Sequence, residues 1–225
     1  MKNISAILSS IVIISLFAGC SANSVKNDFN FTNDKDTGLV ILSVTHNEKP
    51  GTSNAAALFY MNKKGHENDY EVYKSKLEKM GGLLGPGVMS KPSDFEGVYG
   101  VLYAVELEAG TYELTRWLIS TYNGTLFYPT EAPPTLEFTI NPHEITYIGN
   151  LHMHMSTGEN IFGMVLPSGG LPEIIDQTER DLSLFKQRYP QLSDKDINAN
   201  ILTQGPWLTS ASVNRNLPMQ PVIVK

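Results

Sequence analysis

The chain has 225 residues, with 17 basic and 23 acidic side chains and a formal net charge of −6 at pH 7. This length fits one domain, or one domain with an appendage, and 41% hydrophobic residues are enough for a buried core. Nucleic-acid binding needs clustered lysine and arginine to neutralise phosphates. The sequence has no such cluster, so we exclude nucleic acid as a partner.

The first 20 residues have the pattern of an export signal. Lys2 supplies the one early positive charge, an uncharged apolar run follows, and small residues stand directly before Cys20, the only cysteine. A basic start, a short apolar run and small residues at the break are typical of a secretory signal. The run is shorter than the roughly 20 residues of a membrane-spanning helix, so we expect a leader that is removed.

Residues 16–20, Leu-Phe-Ala-Gly-Cys, resemble the lipobox of bacterial lipoproteins. The resemblance implies removal of residues 1–19 and acylation of Cys20, with palmitate among the acyl groups. Each buried methylene contributes about 0.8 kcal/mol, so two or more acyl chains hold a protein durably on a membrane. Ser21, where aspartate would retain many Gram-negative lipoproteins in the inner membrane, favours the outer membrane. An ordinary cleaved signal with an incidental cysteine is the alternative.

The chain divides into four predicted segments. Residues 1–19 are the signal peptide. Residues 20–36 are rich in Asn, Ser, Asp and Lys, and such a stretch cannot bury enough surface to offset its ordering entropy, which predicts a flexible tether. Residues 37–167 are predicted to form a β-sandwich domain, and residues 168–225 a C-terminal helical segment and tail packed on it.

The sandwich prediction depends on runs of alternating or continuous apolar residues separated by turn residues. The runs are residues 38–45, 55–61, 98–107, 111–119, 135–140, 145–155 and 161–166. Turns at residues 108–110 and 156–159 predict two hairpins. Because almost no helix intervenes, we expect a mainly β fold: an antiparallel β-sandwich of immunoglobulin or transthyretin-like type, with a C-terminal amphipathic helix.

Residues 100–114, with the sequence GVLYAVELEAGTYEL, carry a second resemblance. They are similar to the strand, glycine turn and tyrosine-containing strand of uncharacterised bacterial β-sandwich lipoproteins. This resemblance implies a fold and no activity.

The pattern changes after residue 170. Pro172 suits the first turn of a helix, apolar side chains then recur every three or four residues, and Pro190 ends the run. We expect an amphipathic helix of about four turns here. Ser193 predicts a cap for a second, short helix to Leu202, and Val222-Ile223-Val224 predict an edge strand.

The segment 151–155, Leu-His-Met-His-Met, contains the candidate metal ligands. In a strand His152 and His154 share one face, while Met153 and Met155 share the other, which we expect to face the core. Two imidazoles at this spacing can share one metal ion, and imidazole suits copper or zinc. A hairpin whose solvent face happens to carry two histidines is the plainer interpretation. A third metal ligand could come from His143, His46 or Glu159.

The sequence favours a binding or structural role over catalysis. It has no Gly-x-Ser-x-Gly elbow and no His-Glu-x-x-His, and acylated Cys20 cannot be a nucleophile. We therefore expect a lipid-anchored envelope module whose partners are the membrane and another envelope protein, with no cofactor beyond the covalent lipid. One alternative is an envelope copper or zinc protein using His152 and His154. The other is a glycan- or peptidoglycan-contacting module that stacks sugars on Trp207, Tyr122, Tyr128 and Phe127.

Overall fold

The computed structural model describes residues 20–21, 23–32, 34–76, 78–79, 89–90, 92–122 and 124–208. The predicted signal peptide and the predicted strand Val222–Val224 lie outside these residues. Within them the fold is mainly β, with two large sheets and one α-helix. No helix among the described residues is long and apolar enough to cross a membrane.

Strands follow one another along most of the described chain. They are β1 (Cys20–Ser21), β2 (Thr37–Asn47), β3 (Ala55–Lys63), β4 (Tyr70–Lys74), β5 (Glu78–Lys79), β6 (Met89–Ser90), β7 (Val98–Glu108), β8 (Gly110–Thr121), β9 (Leu126–Phe127), β10 (Leu136–Ile140), β11 (Ile145–Glu159), β12 (Val165–Ile175), β13 (Ile197–Ala199) and β14 (Gly205–Pro206). Helix α1 (Thr178–Arg188) lies between β12 and β13, and 3₁₀ turns cover Thr52–Asn54 and Pro190–Leu192.

The strands form two sheets that pack face to face. Sheet A has the order β1-β4-β3-β8-β10 with β9 beside β8, and sheet B has the order β14-β12-β11-β2-β7 with β13 beside β11. Strands β5 and β6 form a separate ribbon. One buried cluster takes side chains from both sheets, among them Val40, Leu42, Val44, Phe59, Trp117 and Ile119.

Sheet B is covered on its other face as well. Leu39, Ile41 and Tyr147 pack there against Phe185 and Tyr189 of the α1 region. A strand that is buried on both faces reads as a continuous apolar run rather than an alternating one. This explains the run Gly38–Val44 and its position as a central strand.

The predicted antiparallel pairing does not hold throughout the two sheets. Strands β2 and β11 pair in parallel at the centre of sheet B, and β1 pairs in parallel with β4. The predicted hairpin at residues 108–110 is also wrong, because β7 pairs with β2 while β8 pairs with β3. The chain crosses from sheet B to sheet A at Ala109, and Leu107 and Tyr112 both enter the core between the sheets. A connection that crosses between two sheets and a hairpin within one sheet show the same alternation of apolar and polar residues, so the sequence pattern does not distinguish them.

The β11–β12 hairpin is longer than expected. Its strands pair antiparallel from Asn150–Ile175 to Glu159–Val165, so the turn lies at residues 160–164 instead of 156–159. Pro172 therefore lies inside β12 and does not start a helix. At Gly170 an added Cβ would stand 2.9 Å from both the His154 carbonyl oxygen and Ile119 of sheet A, so the absence of a side chain permits close packing of the sheets.

Helix α1 begins six residues later than expected from Pro172. The Asp176 carboxylate accepts hydrogen bonds from the Thr178 backbone N–H (2.9 Å) and hydroxyl (2.7 Å) at its start. The expected second helix after Ser193 is absent from the described chain, because Ile197–Ala199 pairs as β13 with the start of β11. The backbone polar groups there find partners in the sheet.

The segment expected to be a flexible tether contacts the domain. The Val25 backbone N–H donates to the Ala104 carbonyl at 2.8 Å, at the edge of β7. Phe29 and Phe31 pack edge to face at 5.4 Å and join the cluster under α1. The aromatic residues in this otherwise polar stretch thus have a packing role, while its flexibility stays a prediction.

Candidate functional site

The two histidines singled out from the sequence lie next to each other on the outer face of sheet B. Their ring centroids are 4.5 Å apart with the rings at 72°. Met153 and Met155 point the other way and are fully buried between the sheets, as the alternation predicts. His152 is buried, whereas half of the His154 side chain is exposed.

A backbone irregularity upstream changes one detail of this strand. Strict alternation along β11 would place Tyr147 on the methionine face, but it packs under α1 on the histidine face. The pairing of β11 with β2 shifts register between Tyr147 and Asn150, and Gly149 there has φ +108°. An irregularity of this kind reverses the facing of all later residues relative to earlier ones.

The two imidazoles have different surroundings. His152 Nδ1 lies 2.7 Å from the Thr45 hydroxyl, and burial, with His154 next in size, lowers the pKa of His152 to about 4. His152 is therefore neutral at pH 7, and its Nε2 is the nitrogen left over by the Thr45 contact. His154 Nε2 lies 2.5 Å from the Glu173 carboxylate on β12. The Glu173 carboxylate thus contacts His154, the exposed member of the histidine pair.

The third ligands considered from the sequence lie elsewhere. His46 is on the opposite face of sheet B, with Nδ1 2.7 Å from the Ser75 hydroxyl, and burial lowers its pKa to about 3. His143 contacts the Thr32 carbonyl, and Glu159 ends β11. Among the described residues no group of three or more His, Cys, Asp and Glu side chains is arranged to hold a metal ion.

A buried polar network continues from the histidines to helix α1. Thr45 donates to Asn150 Oδ1 at 3.1 Å, and Asn150 Nδ2 donates to the Ser43 hydroxyl at 2.7 Å. Ser43 and Tyr147 then donate to the fully buried carboxylate of Asp181, at 2.5 and 2.8 Å. Because these groups satisfy one another, the network holds the helix to the sheet. Asp181 was missed in the sequence because it resembles the other charged residues of an amphipathic helix.

The serines nearest to this network are not activated nucleophiles. Ser43 contacts an acid and an amide, not a histidine. The spacing Ser-x-x-Lys does occur once on α1, at Ser183 and Lys186, and both side chains are exposed there. Neither serine has the base within hydrogen-bond reach that activation of a nucleophile requires.

A second candidate surface is apolar and lies at one end of the sandwich. The large hydrophobic side chains that are exposed in the described chain come from two segments only, residues 122–128, which follow β8 and include the short strand β9, and the β11–β12 turn. We call these six residues the loop end; they are Tyr122, Leu126, Tyr128, Ile161, Phe162 and Met164, with 53–78% exposure. Isolated exposed apolar residues are ordinary, but a group of them marks an interaction site.

The two loops stand on either side of the 3₁₀ turn Thr52–Asn54. The Tyr122 N–H donates to the Asn54 carbonyl at 2.8 Å. On the other side, a Cβ added to Gly51 would lie 2.9 Å from Val165. The sequence prediction had placed residues 161–166 in a strand, so the exposure of this segment was not foreseen.

The tip of the β11–β12 turn satisfies its own amides. Asn160 Oδ1 accepts hydrogen bonds from the N–H groups of Phe162 (2.9 Å) and Met164 (3.0 Å). The Gly163 N–H donates to the Asn160 carbonyl at 2.9 Å. Burying a polar group costs little when it keeps its hydrogen bond. The three N–H groups can therefore leave water without loss, which suits a tip that enters an apolar contact.

Of the four aromatic residues proposed for sugar stacking, two are buried and two are exposed. Trp207 and Phe127 are 3% and 2% exposed, and Trp207 donates its indole N–H to the Pro134 carbonyl. These two belong to the core and cannot stack on a sugar. Tyr122 and Tyr128 are 63% and 62% exposed and belong to the loop end.

Cys20 lies away from the loop end. It pairs with Glu71 of β4, which pairs with Met61 of β3. Strand β3 starts at Ala55, directly after the 3₁₀ turn Thr52–Asn54 at the loop end. Met61, which is level with Cys20 across the sheet, is six residues further along β3. At about 3.3 Å per residue this is at least ~20 Å from the loop end.

Comparison of the chain with protein-family models, with curated protein sequences and with solved structures found no match in any of the three.

Proposed function

We propose that this chain is a lipid-anchored binding module of the bacterial cell envelope, held at the outer membrane by acyl groups on Cys20. The basic start, apolar run and lipobox-like residues before Cys20 support the anchor. The face-to-face packing of two sheets supports an immunoglobulin or transthyretin-like sandwich as the fold type, with the parallel β2–β11 pair as a departure from it.

The loop end is the observation that carries the binding role. Six large apolar side chains are exposed on two segments at one end of the domain, at least ~20 Å along the strands from the residue that would carry the lipid. With the anchor at one end, the apolar surface points away from the anchoring membrane. Its natural partner is therefore the surface of an envelope protein rather than the acyl chains that hold the domain.

A photo-crosslinking amino acid in place of Phe162 tests the binding role in intact cells. Phe162 is 78% exposed, so the exchange leaves the core unchanged. We expect discrete light-dependent adducts to a protein, identified by mass spectrometry. The matched control places the same amino acid at Asn68, which is exposed in the β3–β4 loop at the other end. Absence of adducts from position 162, or equal adducts from both positions, would contradict the proposal.

The histidine pair supports a second candidate function, envelope copper or zinc binding. The ring separation of 4.5 Å lets both imidazoles reach one ion, and the lowered pKa of His152 keeps that ring neutral and ready to ligate. Copper and zinc titrations of the mature chain should then lose their signal in a His152→Ala/His154→Ala variant. His66→Ala, at an exposed histidine in the β3–β4 loop, is the control, and binding that survives the double substitution removes this function.

A further inference from the structure

An arginine lies over two tyrosine rings on the face of sheet A that points away from sheet B. The Arg116 guanidinium carbon stands 4.4 Å from the ring centre of Tyr60 and 4.8 Å from that of Tyr70, and the two ring centres are 6.2 Å apart. Arg116 is exposed, and both tyrosines are half-buried. We call these three residues the arginine platform. A guanidinium that rests on ring faces keeps the N–H donors on its edge for another partner.

A bulge in β8 gives Arg116 this position. Arg116 pairs with Tyr60, but the next pair is Leu114 with Met61, so Thr115 is an extra residue in β8. Strict alternation would put Leu114 and Arg116 on the same face. Because of the bulge, Leu114 enters the core while Arg116 stays outside. Bulges re-aim side chains in this way and are frequent beside functional sites.

The polar atoms of the platform are available for binding. Among the described residues, neither the Arg116 guanidinium nor the hydroxyls of Tyr60 and Tyr70 have a hydrogen-bond or ion-pair partner. The chain has 23 acidic and 17 basic side chains, so an arginine without an acid is not explained by a lack of acids. A guanidinium binds a phosphate or carboxylate through two parallel hydrogen bonds. The platform therefore fits an anionic oxygen group.

The platform lies at the level of the proposed lipid anchor. Cys20 pairs with Glu71, the residue after Tyr70, so the lipid would be attached one strand, about 4.8 Å, from β4. Further along the chain, the Val25 N–H is already held by the Ala104 carbonyl. The chain thus offers no long spacer between the lipid and the domain. The phospholipid headgroups around the acyl chains are the anions closest to the platform.

The residues of the platform suit a membrane surface. Tyrosine is enriched where membrane and water meet, and arginine is attracted to anionic headgroups. The β3–β4 loop beyond Tyr70 carries Glu67 and Asp69, which such a surface repels. Tyr60 is five residues along β3 from Ala55, so roughly 17 Å separate it from the loop end. Contact at the platform therefore leaves the loop end clear of the membrane.

We propose that the arginine platform binds the phosphate groups of the phospholipids around the anchor, so that the domain contacts the membrane at a second point and holds one orientation. This inference rests on the proposed acylation of Cys20 and requires nothing of the loop end. One arginine on two rings binds a membrane weakly by itself. Once Cys20 is anchored, the contact becomes intramolecular, and a weak interaction is then enough.

Footprinting on vesicles tests the contact. Because Cys20 is the only cysteine, the mature chain made without acyl groups can be coupled there to vesicles of phosphatidylethanolamine and phosphatidylglycerol that contain a maleimide-bearing lipid. The reference is the free chain with Cys20 blocked by N-ethylmaleimide. Hydroxyl-radical oxidation of Tyr60 and Tyr70 should be roughly fivefold slower on the vesicles, the ratio that one basic residue gains at an anionic surface. Tyr122 and Tyr128 should keep the rates of the free chain.

Two variants identify the group responsible. Arg116→Gln, with its thermal transition checked, should lose the protection of both tyrosines. Lys49→Gln makes the same change of charge at an exposed residue outside the platform and should keep it. Salt should weaken the protection, because exposed charges are screened.

Unchanged oxidation of Tyr60 and Tyr70 on the vesicles, equal protection of the loop-end tyrosines, or protection that survives Arg116→Gln would each overturn the proposal. Equal protection of the free chain by inorganic phosphate would also overturn the membrane as the partner. The mass of the natural N-terminal peptide decides the acylation separately. A failed footprint beside an acylated Cys20 removes the platform contact alone, whereas an unmodified Cys20 sulfur removes the anchor itself.

Discussion

At the scale of single residues, Asp181 joins helix α1 to two strands of sheet B. Its carboxylate is fully buried and accepts from Ser43 of β2 and Tyr147 of β11. Arg180 donates from its Nε at 2.9 Å and stacks its guanidinium 4.0 Å from the Phe95 ring. Hydrogen bonds to charged groups are stronger than those between neutral groups.

Replacing Asp181 with Asn should lower the free energy of unfolding by about 2–4 kcal/mol, because an amide cannot accept the same set of hydrogen bonds beside Arg180. Urea unfolding measures the change. Glu179→Gln, an exposed acid two residues away on the same helix, is the control and should stay within about 0.5 kcal/mol of wild type. Equal effects from both substitutions would show that the network contributes nothing beyond surface charge.

The two buried histidines predict acid sensitivity. Burial, the largest cause in both, lowers the pKa from 6.5 to about 3 in His46 and to about 4 in His152. Below pH 6.5 the unfolded chain takes up protons that the folded chain does not, so stability falls as pH falls. Each histidine should contribute a loss of about 2–3 kcal/mol between pH 6.5 and 4.5.

Unfolding free energies of wild type and His46→Gln, each measured at pH 7 and pH 4.5, test this. The variant should lose less stability on acidification than wild type, whatever its stability at pH 7. His152→Gln should flatten the pH dependence in the same way, because burial lowers the pKa of His152 as well. A wild-type dependence that survives the loss of His46 and of His152 would contradict the assignment.

At the scale of elements, Gly149 sets which face of β11 each residue occupies. Its φ of +108° is open to glycine and strained for other residues, and an added Cβ would stand 3.1 Å from Ile201. This one position places Tyr147 and the histidines on the same side of sheet B. Alternation alone could not predict this change of face, because a glycine in a strand sequence does not by itself indicate a shift in register.

Gly149→Ala should destabilise the fold by about 2–3 kcal/mol, through backbone strain plus crowding against Ile201. Gly65→Ala separates the two causes, because Gly65 also has a positive φ, +83°, but no atom within 4 Å of an added Cβ. Its cost should be about 1 kcal/mol. Thermal unfolding of both variants measures the two losses of stability. A loss in Gly149→Ala no larger than in Gly65→Ala would contradict the proposed crowding against Ile201.

The segment before β2 makes a prediction about dynamics. If residues 24–31 stay against the domain, the Val25 amide should exchange with solvent far more slowly than the amides of the exposed residues Glu67 and Asn68. Hydrogen exchange by NMR measures both in one sample. Exchange of Val25 at the rate of an unstructured peptide would show that this segment is the free tether expected from its composition.

At the scale of the whole molecule, the sequence predicted the class of fold and missed its connectivity. Alternation along β7, β8 and β11 correctly identified strands, because side-chain burial is a local signal. Which strand pairs with which is decided by long-range packing, so the β7–β8 crossing and the parallel β2–β11 pair could not be foreseen. The same limit applies to Asp181 and to the loop end, whose roles exist only once distant segments meet.

The two ends of the molecule have different proposed roles, with lipid attached near one and an apolar contact made at the other. The sequence alone supplied Cys20, and the fold supplied its distance from Phe162. Both proposals depend on the cysteine being an anchor, since a freely diffusing domain would have no fixed direction in which to present its loops.

The most direct measurement is therefore the mass of the N-terminal peptide of the mature protein, isolated from membranes, beside the fractionation of a Cys20→Ser variant. We predict that the mature chain begins at Cys20 with its sulfur in a thioether to an acylated glycerol, and that the Cys20→Ser variant is no longer held by lipid and leaves the membrane fraction if exported. A free thiol at Cys20 on a protein recovered in the soluble fraction, or tight membrane retention of Cys20→Ser, would contradict the account.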